Sequence, residues 1–183
     1  MKTIAFTGHR PDKLYGYDFS NEKYLQLKAK LTAILSNKIQ FDNADTFITG
    51  GALGFDILAY DVVEKLKENN NIKHILAIPF MKQATKWNYQ NVLKYQKVKA
   101  VSECIYVDHL DAYAIKGLIP DEYHPAKMQK RNEWMVDNCD ILIACWDGNK
   151  KGGTYNCVRY AQKIGKEIIL INPKTLEVSC LER

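Results

Sequence analysis

The chain has 183 residues, of which 46% are hydrophobic and 26% charged, and a formal net charge of +5. A chain of this size and balance can bury a core, and its composition excludes a disordered tail or a fibrous repeat. The basic residues are scattered, so the mild positive charge suits a phosphate-bearing partner without demonstrating nucleic-acid binding.

In chain order, a first buried strand is expected at 2–7, ending on Gly8. A helix follows at 21–36, with Tyr24, Leu27, Leu31, Ile34 and Leu35 on one face and Ser20 or Asn21 as its cap. A second strand at 46–49 breaks at Gly50-Gly51, and a helix from about Gly54 to Lys67 carries Ala59, Val62, Val63 and Leu66 as its buried stripe. A third strand, 74–78, stops at Pro79. The stretch 82–99 reads as a helix with Val92, Tyr95 and Val98 in phase; its lysines form either a solvated face or a phosphate-attracting surface. A fourth strand is expected at 103–107. Residues 108–125 contain Gly117, Pro120 and Pro125, show no period, and read as a long, partly mobile loop of the kind often used as a lid. A helix at 127–138 leads to a fifth strand at 140–146, which ends in Asp147-Gly148. A glycine-led helix within 151–164 and a last strand at 167–172 follow, with Pro173 as the stop and a loosely packed edge segment beyond it.

Strands that alternate with helices imply β-α-β units and a parallel sheet covered on both faces. The expected fold is a Rossmann-like three-layer α/β sandwich with about six mostly parallel strands, one domain over 1–183. The first residues reach Gly8-His9-Arg10 too early for a signal peptide, and no apolar run approaches the roughly 20 residues of a membrane span. The five cysteines show no C-x-x-C pair, so neither a disulfide framework nor a zinc site is expected. A cytoplasmic protein without a metal fits these features.

Ligands of open parallel sheets bind beyond the carboxyl ends of the strands. Three of those ends are polar and glycine-rich. The first is Thr7-Gly8-His9-Arg10, where Arg10 offers a fork of donors for phosphate and His9 is either a structural loop residue or a catalyst. The second is Gly50-Gly51-Ala52-Leu53-Gly54, ahead of a helix whose amides and dipole suit an anion; Asp56 either sits in the first helical turn or accepts a ribose hydroxyl. The third is Trp146-Asp147-Gly148, continuing to Gly152-Gly153-Thr154, where Thr154 either caps the helix or bonds a phosphate oxygen. Pro79-Phe80 either stacks a base or packs onto the core, and Trp87 and Trp134 carry the same two readings. Arg131-Asn132 is a polar pair beside the apolar Met128 and Met135.

These segments, taken with Met135-Val136-Asp137 and Ile143-Ala144-Cys145, resemble in order the SLOG superfamily, most closely its YpsA-like branch. The resemblance runs from Thr3 to about Pro173. It implies a Rossmann-like fold and a nucleotide-derived ligand such as NAD or ADP-ribose, held by Thr7, Gly8, His9, Arg10, Gly50, Gly51, Gly54, Asp56, Pro79, Asn132, Trp146, Asp147, Gly152, Gly153 and Thr154. It also implies self-association, so a homodimer is expected. Cytokinin-activating phosphoribohydrolases of the LOG type carry P-G-G-x-G-T-x-x-E, whereas Cys157 stands three residues after Thr154 here. A hydrolase or transferase acting on an N-glycosidic bond would draw its carboxylate from Asp56 or Asp147, with Asp140 the weakest choice. The segment from Gly51 to Asp56 also resembles that of DprA proteins, which implies single-stranded DNA as an alternative partner.

Overall fold

The computed structural model describes residues 1–181. One seven-stranded sheet organises them: β1 (Lys2–Gly8), β2 (Ala44–Thr49), β3 (Lys73–Ile78), β4 (Glu103–Tyr106), β5 (Ile141–Cys145), β6 (Glu167–Ile171) and β7 (Val178–Leu181). Their spatial order is β4-β3-β2-β1-β5-β6-β7. Every pairing is parallel except β6 with β7.

The helices are α1 (Glu22–Asp42), α2 (Phe55–Lys67), α3 (Tyr89–Val101), α4 (Pro125–Asp137) and α5 (Gly153–Lys163). Strand alternation divides the core. Ile4 and Phe6 of β1 pack with α1 and α2, while Ala5 between them faces α4 and α5. α3 lies beside α2, with Tyr95 and Val98 against Leu76 and Ile78 of β3. The result is a sheet covered on both faces, which explains why its strands read as continuous apolar runs rather than alternating ones.

α1 shows how local sequence sets an element. Asn21 accepts a hydrogen bond from the Tyr24 amide at 3.1 Å and caps the start. Leu27, Leu31 and Leu35 form a fully buried stripe, each stabilising by about 2 kcal/mol. The helix runs past Ser36, its expected end, because nothing breaks it before Asn43, which takes the left-handed conformation (φ 54°).

Two other elements differ from expectation. α3 begins at Tyr89 rather than near Lys82, because Asn88 caps it through the Asn91 amide. Residues 82–87 instead form turns that wall a side pocket described below. The tail is a paired antiparallel strand, β7, made possible by the Asn172–Glu177 reversal that brings the chain back onto β6. No helix among the described residues is long and apolar enough to cross a membrane.

Candidate functional site

The strand order reverses between β1 and β5, which pair through Gly8 and Cys145 at their carboxyl ends. Loops leaving these two strands diverge to opposite sides and leave a crevice. A cavity of about 280 Å³ opens there. Thr7, Gly8, His9 and Arg10 line it from β1; Ala52 and Asp56 from the start of α2; Asn132 from α4; Gly152, Gly153 and Thr154 from α5. The glycine turns after β1 and β5 thus meet at one cleft, joined by Ala52 from the turn after β2.

Gly54 makes the approach of α2 possible. Its φ is +99°, and a Cβ there would lie 2.4 Å from the His9 carbonyl oxygen. The Phe55 amide then donates to that same carbonyl at 3.2 Å. This stitch carries Asp56 into the cleft wall.

Asp56 is only 6% exposed. Its Oδ2 accepts from the Gly50 amide at 3.2 Å and the Ala52 amide at 3.3 Å. The turn after β2 therefore holds an anion of its own chain. The Gly50 amide, expected to face a ligand phosphate, is thus engaged by Asp56 together with the Ala52 amide. Burial pushes the Asp56 carboxyl above its ordinary range, against the opposing pull of Arg131, Arg10 and the two amides. Arg131, 5% exposed, donates from Nη1 to the Gly50 carbonyl at 2.5 Å and from Nε to Asn132 Oδ1 at 3.1 Å. Gly50 must be glycine for this to fit, since a Cβ would lie 1.7 Å from Arg131 Nη1.

The third turn behaves differently. Gly152 is the N-cap of α5, with φ +96° and no side chain satisfying the first-turn amides. Thr154 lies within the helix, so it does not cap it. A Cβ on Gly153 would meet only Asn132 Nδ2, 4.0 Å away. A bare helix N-terminus thus borders the cleft, with unsatisfied amides and the positive end of the helix dipole. Arg10, Lys13, Arg131 and Lys151 line the same cavity against Asp12 and Asp56. Cations outnumber carboxylates, which suits an anionic guest.

Several expected residues lie elsewhere. Gly51 packs inward, its Cβ position 2.7 Å from Leu76. Gly54 serves the β1–α2 contact, and Pro79 lies at the end of β3 outside the lining. Trp146 donates from Nε1 to the Asn149 carbonyl at 2.9 Å and faces the outer edge beside β7. Asp147 is engaged by His9, whose Nε2 is 2.9 Å from its Oδ1, and by Lys174 at 3.4 Å. Burial alone would raise Asp147, but the Asn149 amide, His9 and Lys174 hold it below the usual carboxylate range. His9 and Asp147 therefore tie the β1 and β5 turns together, and of the two carboxylates expected for catalysis only Asp56 lines the cleft.

Sequence reading missed Arg131 as the buried cation that acts on Asp56, along with Asp12, Lys13, Met128 and Lys151 in the wall. Arg131 lies mid-helix, where its spacing marks it only as one polar residue among several. It also missed a second cavity of about 260 Å³ that shares Arg10 and Met128 with the first. Phe80, Trp87, Tyr123 and Gln83 line this slot. Gln83 donates from Nε2 to the Gly50 carbonyl at 3.1 Å, while its buried Oε1 has no hydrogen-bond partner.

A doubly wound α/β sheet with a basic cleft at its topological switch is the class that this fold and cleft define. The chain belongs to the YpsA family of SLOG proteins: the family model described as YspA SLOG family matches residues 4–176. The SPbeta prophage-derived protein YoqJ of Bacillus subtilis (strain 168) is 41% identical over 157 residues, covering 84% of this chain and 91% of the relative. The UPF0398 protein BH1768 of Halalkalibacterium halodurans is 25% identical over 182 residues, covering 97% and 91%. Among solved structures, DNA processing protein A (DprA) from Streptococcus pneumoniae superposes with a TM-score of 0.59 at 16% identity, over 94% of this chain and 50% of that chain. DprA from Helicobacter pylori, described in a structure of its single-stranded DNA binding mode, gives 0.57 at 19% identity, over 93% and 65%. These structural likenesses establish the Rossmann-like fold.

Proposed function

We propose that this chain binds a nucleotide-derived ligand, with a phosphate group on the N-terminus of α5 and the base in the aromatic slot. The observation that carries this reading is the uncapped first turn of α5 at the border of a basic cleft. Arg10 borders both cavities and is placed to span phosphate and base. Phe80, Trp87 and Tyr123 supply flat apolar surface for a base. NAD and ADP-ribose are the ligands to test first.

Gly153→Val tests the phosphate subsite. The open space at the Cβ position lets the protein keep its fold, while the branched side chain covers the amides. Isothermal titration with pyrophosphate, ADP and ADP-ribose should show affinity falling tenfold or more, about 1.4 kcal/mol, with an unchanged melting temperature. Equal affinity in the variant would remove α5 from the site.

A second reading is single-stranded nucleic acid, favoured by Lys82 and Lys86 beside the aromatic slot and Lys13 and Lys151 at the cleft. Oligonucleotide affinity that falls steeply with salt and resists competition by ADP would support it. Cleavage of an N-glycosidic bond would rest on Asp56, because Cys157 is fully buried and its thiol is pushed up to about 12 by that burial. Turnover of nucleoside monophosphates that is lost in Asp56→Asn would establish an enzyme.

A further inference from the structure

The segment between β4 and α4 contains a cluster that the cleft does not use. Asp108, His109 and Asp121 each offer one possible ligand atom, and these atoms all lie within 4.8 Å of one another. His109 Nε2 is hydrogen-bonded to Asp121 Oδ1 at 2.8 Å, a bond a metal ion would replace, and lies 3.8 Å from Asp108 Oδ1. Ligands about 2.1 Å from a shared zinc ion in tetrahedral array are about 3.4 Å apart, so the observed separations bracket that spacing.

Asp108 supplies the independent sign. Its side chain is 4% exposed, yet its two oxygens are treated unequally. Oδ2 accepts from Lys127 Nζ and from the Asp121 amide, both at 3.0 Å. Oδ1 is buried with no hydrogen-bond partner. An orphaned carboxylate oxygen is costly away from water. A carboxylate whose one oxygen is oriented by donors while the other stays bare has the form of a metal ligand with its supporting shell in place. Lys127 neutralises one of the two carboxylates, and its second bond goes to the Ile119 carbonyl at 2.7 Å. One carboxylate charge and the imidazole remain for a dication.

We propose that Asp108, His109 and Asp121 bind one divalent transition-metal ion, with Asp108 Oδ1, His109 Nε2 and Asp121 Oδ1 as ligands and water completing the shell. One imidazole with two carboxylates selects zinc or manganese over calcium, which takes oxygen ligands alone. The ion clips the start of the 108–125 segment to its far end. Glu122 and Tyr123, which wall the aromatic slot, follow directly after Asp121.

The test uses the full chain and the metal alone. Titration with zinc chloride, and separately with manganese chloride, should give one site per chain that weakens about tenfold or more in His109→Ala. His109 is 43% exposed, so that variant keeps its fold. Asp121→Asn should weaken binding as strongly while still accepting from the Met81 amide. Zinc should also slow tryptic cleavage after Lys116 in the native chain and not in either variant. Identical isotherms for native chain and variants, or cleavage after Lys116 that zinc leaves unchanged, would overturn the site.

Discussion

Replacing Arg131 by Met is expected to remove about 3–5 kcal/mol of folding stability, the largest single effect at the cleft. The guanidinium is buried, and its bond to the Gly50 carbonyl fixes the turn after β2. Without it, Asp56 keeps its two backbone amides but loses the nearest cation, and burial then drives its carboxyl further toward the neutral form. The double variant Arg131→Met/Asp56→Asn should recover part of the loss, because it removes the uncompensated charge rather than the contact alone. Urea unfolding at neutral pH measures both. A single variant within about 1 kcal/mol of the native protein would show that the pair is not a structural unit. ADP binding should fall in parallel, since the same residue lines the proposed phosphate site.

Acid is expected to weaken the protein through His74, which does not line the cleft. The ring is buried between β2 and α3, with Nε2 2.8 Å from Thr49 Oγ1 and Nδ1 2.7 Å from Ser102 Oγ. The Ser102 hydroxyl donates to the Val98 carbonyl, so its oxygen accepts from Nδ1–H and Nε2 accepts from Thr49. The neutral ring is thus satisfied at both nitrogens, and no acceptor awaits a second proton. Burial, aided by the charge of Lys67, pushes the ring down from 6.5 to about 3. The unfolded chain therefore takes up the proton first. Stability from this residue is complete above about pH 6.5 and is lost as pH falls toward 3. At pH 4.5 the loss amounts to roughly 2–3 kcal/mol at 1.36 kcal/mol per pH unit. His74→Gln, neutral throughout, should lower stability at pH 7.5 yet show a shallower decline to pH 4.5. Parallel declines in the two proteins would assign acid sensitivity to the carboxylates instead.

Element type was legible wherever one local signal was strong. Leu27, Leu31 and Leu35 mark α1, Ile168 and Ile169 mark a buried strand, and the alternation of such segments implies a doubly wound sheet. Boundaries were less legible where capping decided them. Nothing in 82–99 distinguishes the turns before Asn88 from the helix after it until the cap is seen. The antiparallel β7 depends on a reversal at Asn172 whose value lies in pairing with β6.

The sequence by itself determined the alternation of strand and helix, the glycine turns at the strand ends and the family to which the chain belongs. The first two follow from local periodicity and from backbone conformations that few residues other than glycine adopt; the family was carried by the resemblance of the ordered motifs. Only the tertiary structure decided which turn is free. Gly50 and Gly152 look equivalent in the chain, but Asp56, in the first turn of α2, folds back onto the first, whereas α5 carries no acid to occupy the second. It also decided that Arg131, 75 residues from Asp56 in the chain, stands beside it, and that Asp108 and Asp121 meet around His109. Charge pairing in the interior is set by distance in space, to which spacing along the chain is blind.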